Sequence, residues 1–218
     1  MPEELQRVAR GEVGQLRIGF SSTLPLTKLL RDVVAAHRRA QPNVALHLRE
    51  MHTTLQFDAL RRGEMDVGIV RYNERAPDGI RLEVLRRDPL RLVVPSRHRF
   101  ARRRSVSIAE CRDEAFIGFP GSAGTGSAPV LKRLCAQAGF EPRIAQEARE
   151  ATTQIGLVAA GLGIAVLPAP LEAVQIEGAR YVPLEGADAI LVMSVATRAD
   201  EASERVLGFV RRVVALAA

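Results

Sequence analysis

Three hydroxyl side chains follow the first apolar segment of the chain. The stretch RIGFSSTLPL places Ser21, Ser22 and Thr23 between a strand-like segment and a helix-like one. At such a position, side-chain hydroxyls and the free N–H groups of the first helical turn can together bind an anion. A small carboxylate fits this arrangement. The alternative is that one of the hydroxyls only caps the following helix, as Ser and Thr commonly do.

A second pair of hydroxyls stands in the same setting. Thr53 and Thr54 come after the second strand-like segment and before the second helix-like one. Two parallel strands would present these helix starts side by side, because the carboxyl ends of parallel strands share one edge of a sheet. This coincidence favours an anion site.

The glycine-rich loop GFPGSAGTGS at 118–127 also connects a strand-like segment to a helix-like one. Its glycines allow backbone N–H groups to approach a ligand closely. It is not a phosphate-binding P-loop, because GxxxxGK[ST] needs a lysine followed by Ser or Thr, and Lys132 lies inside the next predicted helix. We therefore expect no bound nucleotide.

Residue patterns for catalysis and metal binding are scarce. The four histidines share no metal-ligand spacing, and neither a GxSxG elbow nor a cysteine–histidine signature occurs. Cys111 and Cys135 fall in different predicted segments, which argues against a disulfide framework and a cysteine-rich metal site. We expect no enzymatic activity, no metal and no cofactor.

Composition argues against a membrane protein and against a DNA-reading element in this chain. The 31 Lys and Arg residues exceed the 25 Asp and Glu residues only modestly, and aromatic residues make up 4%. The densest basic run, at 96–104, is interpreted as a solvated turn. No window approaches the roughly 18 apolar residues of a membrane span, and the charged start is unlike a signal peptide. We expect a soluble cytoplasmic protein.

Strand-like and helix-like segments alternate, which predicts a mostly parallel sheet covered by helices. Strands are predicted at 16–20, 44–48, 67–70, 80–85, 89–95, 115–119, 142–147, 164–167 and 189–196, and helices at 26–41, 55–62, 128–138, 153–160 and 201–216. The second series of elements repeats the architecture of the first, which predicts two lobes. Since the chain leaves the first lobe near Pro95 and returns near Val192, two connections would form a hinge beside a ligand cleft.

Three motifs, in their order and separation, resemble the effector-binding domain of LysR-type transcriptional regulators. They are RVARGEVGQLRIGF near the start, ALRRGEMDVGIVR around Gly63 and Asp66, and GLVAAGLGIAVLP in the second half. The resemblance covers the chain from about Gly11 to Leu216. The stretch EAREATTQIGLVAAGLGIAVLP is especially similar to regulators of aromatic-compound catabolism, the catechol and benzoate group.

The resemblance implies an α/β fold of two Rossmann-like subdomains joined by two crossover strands, like periplasmic binding proteins of type II. Residues 1–13 would end a linker to a missing N-terminal DNA-binding domain, 14–95 with 192–218 would form subdomain I, and 96–191 subdomain II. The full protein would be a DNA-binding transcription factor, a homodimer or tetramer that contacts promoter DNA through the missing domain. A ligand that bridges both subdomains would shift the population of hinge angles and so the geometry of the dimer.

The resemblance also implies the residues of the site. The positions that match the family's carboxylate-binding hydroxyls are Ser21, Ser22, Thr23 and Thr53. The loop that would supply the opposite wall contributes Phe119, Pro120, Thr125 and Ser127. A second effector pocket would involve Arg71, Arg149 and Glu150. A ligand similar to cis,cis-muconate or benzoate is one interpretation, and a smaller or more polar one is another.

Two other functions use a similar fold. A solute-binding protein of a transport system would have a signal peptide, which the start MPEELQRVARGE does not resemble. An enzyme on this scaffold would need an acid, base or nucleophile that converges in the cleft, whereas the sequence offers hydroxyls and arginine.

Overall fold

A computed structural model describes residues 14–120 and 126–217 of the chain. Two compact units are formed: one ends at Arg86 and resumes at Val192, and the other comprises Arg87–Leu191. The chain therefore passes between the units twice. The first passage lies inside the strand at whose end, near Pro95, the sequence pattern places the boundary.

Strands and helices alternate along the described residues. The strands are β1 Gly14–Phe20, β2 Val44–Glu50, β3 Val67–Arg71, β4 Ile80–Pro95, β5 Ala115–Gly118, β6 Arg143–Glu147, β7 Ala165–Pro168, β8 Ala179–Pro183 and β9 Ile190–Arg198. The α-helices are α1 Lys28–Ala40, α2 Thr53–Arg61, α3 Ser127–Gln137, α4 Ala151–Ala159 and α5 Glu204–Ala217. Short 3₁₀ turns span Leu24–Leu26, Ile108–Cys111 and Ala169–Ala173.

Two details of the predicted strands are wrong. The segments predicted at 80–85 and 89–95 are one strand, β4, because the backbone stays extended through Arg86, Arg87 and Asp88, where the apolar pattern breaks. The sequence pattern does not predict β8. This strand has only five residues, and the exposed Arg180 interrupts its apolar pattern. For β8, pairing with β4 decides the conformation, whereas local hydrophobicity does not.

The first unit is built on a parallel arrangement in which β1 lies between β2 and β3, and β9 pairs antiparallel with β3. Phe20 is opposite Glu50 on β2 and Ile69 on β3. The carboxyl ends of three strands therefore lie along one edge. The core beneath them is formed by residues of the sheet, α1 and α5, among them Leu16, Ile18, Leu29, Val33, Ile69, Phe209 and Val213.

The motif GEMD closes α2 and fixes the start of β3. Gly63 adopts a φ of +67°, a left-handed conformation that favours glycine after a helix. Asp66 then accepts hydrogen bonds from the Arg17 backbone N at 2.8 Å, from its Nη2 at 2.7 Å and from its Nε at 3.1 Å. One carboxylate thus ties the turn before β3 to the middle of β1.

The second unit has its own core and its own strand pairs. Strands β5 and β6 are parallel, and β4 pairs antiparallel with β7 and β8. The basic run at 96–104 forms a turn in which Arg99 pairs with Glu114 at 2.9 Å and Arg103 with Glu110 at 3.3 Å. These ion pairs agree with the interpretation of the run as a surface turn.

Candidate functional site

The hydroxyls that follow β1 do not cap a helix. Thr23 precedes the 3₁₀ turn Leu24–Leu26 but makes no capping bond through its side chain. Helix α1 begins later, after Thr27, whose hydroxyl donates to the Leu24 carbonyl at 2.7 Å. Helix capping therefore does not account for the hydroxyls at 21–23.

Arg71, the last residue of β3, joins the threonines that follow β1 and β2. Its Nε donates to Thr23 Oγ1 at 3.0 Å, and its backbone N donates to Thr53 Oγ1 at 3.1 Å. Thr53 Oγ1 in turn donates to the Arg71 carbonyl at 3.3 Å. Arg71 is 3% exposed, and both threonines are buried. The structure thus places a guanidinium and two predicted hydroxyls at the carboxyl edge of the sheet.

Ser21 completes this group, whereas Ser22 and Thr54 point to solvent. The Ser21 backbone N donates to the Ile69 carbonyl at 3.1 Å, which fixes the loop against the end of β3. Its Oγ is buried and has no hydrogen-bond partner among the described residues. Ser22 and Thr54 are exposed. We call Ser21, Thr23, Thr53 and Arg71 the anion cluster.

The chemistry of the anion cluster suits a carboxylate. A guanidinium stays protonated over the whole working pH range, and its fork of N–H donors matches the two oxygens of a carboxylate. Burial strengthens such a contact because less water screens the charges. The hydroxyl of Thr23 accepts from Arg71, so its own proton remains available for a ligand. The Thr53 hydroxyl, in contrast, uses its proton on the Arg71 carbonyl.

The residues predicted in the glycine-rich loop lie in the second unit. Phe119 and Pro120 are half-buried after β5, and Ser127 is buried as the first residue of α3. Thr125 lies outside the described residues. Phe119 and Ser127 line a cavity of about 260 Å³ within this unit. Its other walls are mostly apolar and include Ile117, Leu131, Ile144 and Val166, together with the polar Lys132, Glu147 and Gln154.

The residues predicted for a second effector pocket are placed separately. Arg71 belongs to the anion cluster of the first unit. Arg149 and Glu150 are exposed residues of the second unit, where Glu150 precedes α4 without making a side-chain cap. The second pocket stays a prediction.

Two buried glutamines are not predicted as site residues from the sequence. Gln56 in α2 and Gln154 in α4 are both fully or almost fully buried and donate to backbone carbonyls. Gln56 precedes Leu60 by one helical turn and so occupies a position on the apolar face. A polar residue at an apolar position was the signal that could have identified it.

The two thiols and the acidic residues offer no evident chemistry. Burial raises the pKa of Cys111 to about 12, with a smaller contribution from Glu114, and burial raises the pKa of Cys135 to about 11. Thiols with such pKa values are poor nucleophiles.

Within 14–120 and 126–217, no group of three or more His, Cys, Asp or Glu side chains could hold a metal ion. The helices of these ranges are also too short or too polar to cross a bilayer.

Comparison with known sequences identifies related proteins over nearly the whole chain. A family model described as the LysR substrate binding domain matches residues 9–218. The uncharacterized HTH-type transcriptional regulator YnfL of Escherichia coli is 38% identical over 188 residues, which cover 86% of this chain and 63% of that protein. The HTH-type transcriptional regulator BenM of Acinetobacter baylyi is 33% identical over 190 residues, covering 86% of this chain and 62% of BenM. The chain thus spans less than two thirds of these relatives.

Solved structures show the same fold. The effector-binding domain of a BenM variant superimposes with a TM-score of 0.83 at 29% identity, covering 93% of this chain and 94% of that one. The BenM effector-binding domain with its effector benzoate gives a TM-score of 0.80 at 30% identity, covering 92% and 90%. These matches confirm the predicted fold class, an α/β fold like that of type II periplasmic binding proteins.

Proposed function

This chain belongs to the LysR substrate-binding domain family, and we propose that it senses a small carboxylate bound at the anion cluster. The observation that carries the proposal is the position of Arg71. Its guanidinium donates to Thr23, while its backbone is bonded to Thr53, so that a charge and two hydroxyls converge. In this proposal the ligand accepts from Arg71, from Thr23 and from the Ser21 hydroxyl, which has no partner within 14–120 and 126–217. Ser22, which is exposed, would contribute from the rim.

We propose that residues of the second unit also bind effector. The support is the 260 Å³ cavity, whose walls include Phe119 and Ser127 and are mostly apolar. Pro120 and Thr125 belong to the same predicted wall, although Thr125 lies outside the described residues.

We further propose an aromatic or unsaturated acid, such as benzoate or cis,cis-muconate, as the ligand. The support is the similarity to BenM, whose effector-binding domain is known with its effector benzoate. The mostly apolar cavity is compatible with a ring or a conjugated chain. The relatives also include regulators of other names, such as AlsR and XapR, so acids of other kinds belong in any screen.

At the level of the whole protein, we propose a DNA-binding transcription factor that acts as a homodimer or tetramer. The support is that the matched relatives are named as HTH-type transcriptional regulators and extend beyond the region matched here. Their names also favour a regulator over an enzyme and over the alternative of a transport solute-binding protein.

The proposal is tested by ligand-induced stabilisation. Melting temperatures of the wild-type chain, Thr23→Val and Thr27→Val are measured against benzoate, cis,cis-muconate and a panel of non-aromatic acids. A ligand at a hundred times its Kd stabilises the folded state by about 2.7 kcal/mol, which is readily measured. We expect Thr23→Val to lower the affinity of the bound acid by about tenfold, because a charged hydrogen-bond network is lost.

Thr27→Val is the matched control, since its hydroxyl contacts only the Leu24 carbonyl among the described residues. It should bind the acid like the wild type. Equal affinity in Thr23→Val and the wild type would refute the anion cluster as the binding site.

A further inference from the structure

We propose that Gln56 is a positioning residue of the anion cluster: its side-chain amide holds together the loops that carry Ser21 and Thr53. The inference rests on the proposed function, because the cluster that it orders is the proposed ligand site. Gln56 is the fourth residue of α2, and its side chain is 0% exposed. It therefore contacts no solvent and, in this proposal, no ligand.

The contacts of Gln56 close a circuit of hydrogen bonds around the strand ends. Its Nε2 donates to the Met51 carbonyl at 2.9 Å and to the Ile69 carbonyl at 3.4 Å. The Ile69 carbonyl also accepts from the Ser21 backbone N at 3.1 Å, and the Met51 backbone N donates to the Phe20 carbonyl at 3.0 Å. One amide thus connects the ends of β1 and β3 with the loop that leads into α2.

The sheet is shaped to receive this amide. Gly19 on β1 and Gly68 on β3 are direct partners in the strand pairing. A Cβ atom at Gly68 would lie 2.9 Å from Gln56 Oε1, and one at Gly19 would lie 3.0 Å from it. Any other residue at Gly68 would displace the amide. Gly68 therefore provides space that the Gln56 side chain occupies, whereas at Gly19 the atoms nearest to such a Cβ, at 2.5 Å, belong to Met65.

The amide orders the loops at a cost in stability. Gln56 Oε1 has no hydrogen-bond partner among the described residues, and a buried acceptor without a partner destabilises the folded state. An apolar side chain of similar length would fill the same space without that cost. Overall stability therefore does not explain why a glutamine occupies this position, whereas the two bonds that it donates to the loops do.

The second unit contains a similarly placed buried glutamine. Gln154 is the fourth residue of α4, is 1% exposed, and donates from Nε2 to the Ala148 carbonyl at 2.9 Å, in the loop that leads into its helix. It also lines the 260 Å³ cavity. An arrangement that occurs in both units supports a common role. It also provides a matched control variant, because Gln154 belongs to the other unit.

The test compares Gln56→Met with Gln154→Met. Amide hydrogen exchange is followed by NMR, and the protection factor of the Ser21 amide is the main readout. We expect Gln56→Met to lower this protection by about tenfold, because the loop loses its anchor. The melting temperature should change little, since removal of the Oε1 acceptor offsets loss of the bond to the Met51 carbonyl. Gln154→Met should leave the protection of Ser21 within about twofold of the wild type.

A second variant, Gln56→Glu, keeps the shape of the side chain. Its protonated carboxyl group can donate to a carbonyl, whereas its ionised form is repelled by the carbonyls of Met51 and Ile69. Protection of Ser21 should therefore be near the wild-type value at low pH and should fall as the pH rises. Because a buried carboxylate also destabilises the whole fold, the readout is the protection of Ser21 relative to the amides within β1. A merely space-filling role would change both together.

The inference is overturned if Ser21 keeps its protection in Gln56→Met, or if that variant loses protection throughout the protein and melts at a lower temperature. The proposed function fails independently if no acid in the panel stabilises the wild-type chain. In that case the exchange data still decide whether Gln56 orders the loops.

Discussion

At the scale of single residues, the described site depends on what each hydroxyl donates and accepts. Thr23 accepts from the Arg71 side chain, and Thr53 both accepts from and donates to the Arg71 backbone. The two threonines thus differ in role, although the sequence places them in equivalent settings. Thr53 holds β3 against the start of α2, while Thr23 faces the charged group.

The structural role of Thr53 is tested by Thr53→Val. The change preserves shape but leaves the buried N–H of Arg71 without its acceptor, so we expect the free energy of unfolding to fall by about 1–3 kcal/mol. Urea denaturation followed by circular dichroism measures this change. Thr54→Val, the exposed neighbour, should stay within about 0.5 kcal/mol of the wild type. A similar effect of both changes would contradict the assigned role.

At the scale of elements, one ion pair sets the relation of β1 to β3. Asp66, in the turn before β3, accepts three hydrogen bonds from Arg17 on β1. Burial disfavours the charged form of Asp66, but the bonds from the Arg17 side chain and backbone outweigh this effect and lower its pKa. The carboxylate therefore contributes stability while it is ionised.

The stability contributed by Asp66 should depend on pH. Because the pKa of Asp66 is lower in the folded state than in the unfolded state, the contribution is complete above an ordinary aspartate pKa of about 3.9. It is lost as the pH falls through the lower pKa of the folded state. Since Arg17 is 39% exposed, we expect a contribution of only roughly 1 kcal/mol.

Urea denaturation at a series of pH values from neutral to acidic measures this contribution. Asp66→Asn should show reduced stability at neutral pH and a weaker acid dependence than the wild type. Asp58→Asn is the control, because its pair with Arg61 is exposed. An acid dependence that is the same in the wild type and Asp66→Asn would refute the anchor.

At the scale of the whole molecule, each unit is stabilised by its own core. Leu29 and Val33 on α1 pack against Phe209 and Val213 on α5 in the first unit, so the apolar stripe of α1 serves core packing. In the second unit, Cys111 and Cys135 lie in one cluster with Phe116 and Leu134. Both cysteines therefore report on the second unit alone.

The thiols allow the opening of the second unit to be measured. Their raised pKa values and burial predict that a chromogenic disulfide reagent at pH 8 labels the native chain at least about a hundredfold more slowly than the urea-unfolded chain. Cys111→Ser and Cys135→Ser assign the rate of each thiol. Rapid labelling of either thiol without loss of secondary structure would show that the core of this unit is open in the native state.

Much of the fold follows from local sequence patterns. The helical spacing of α1 and α5 follows from local sequence, because burial of an apolar face selects the period. The GEMD turn is likewise determined by neighbours in the chain. The hydroxyls at 21–23 and 53 were identified for the same reason, since they stand where an apolar pattern changes period.

The contacts of the site depended on tertiary structure. Arg71 is separated from Thr23 by 48 residues, and no periodicity predicts that its Nε reaches that hydroxyl. Gln56 is similarly defined by the carbonyls of other elements, and β8 by its pairing with β4. A local pattern reports which face of an element is buried, but strand register and packing decide which side chains on that face meet.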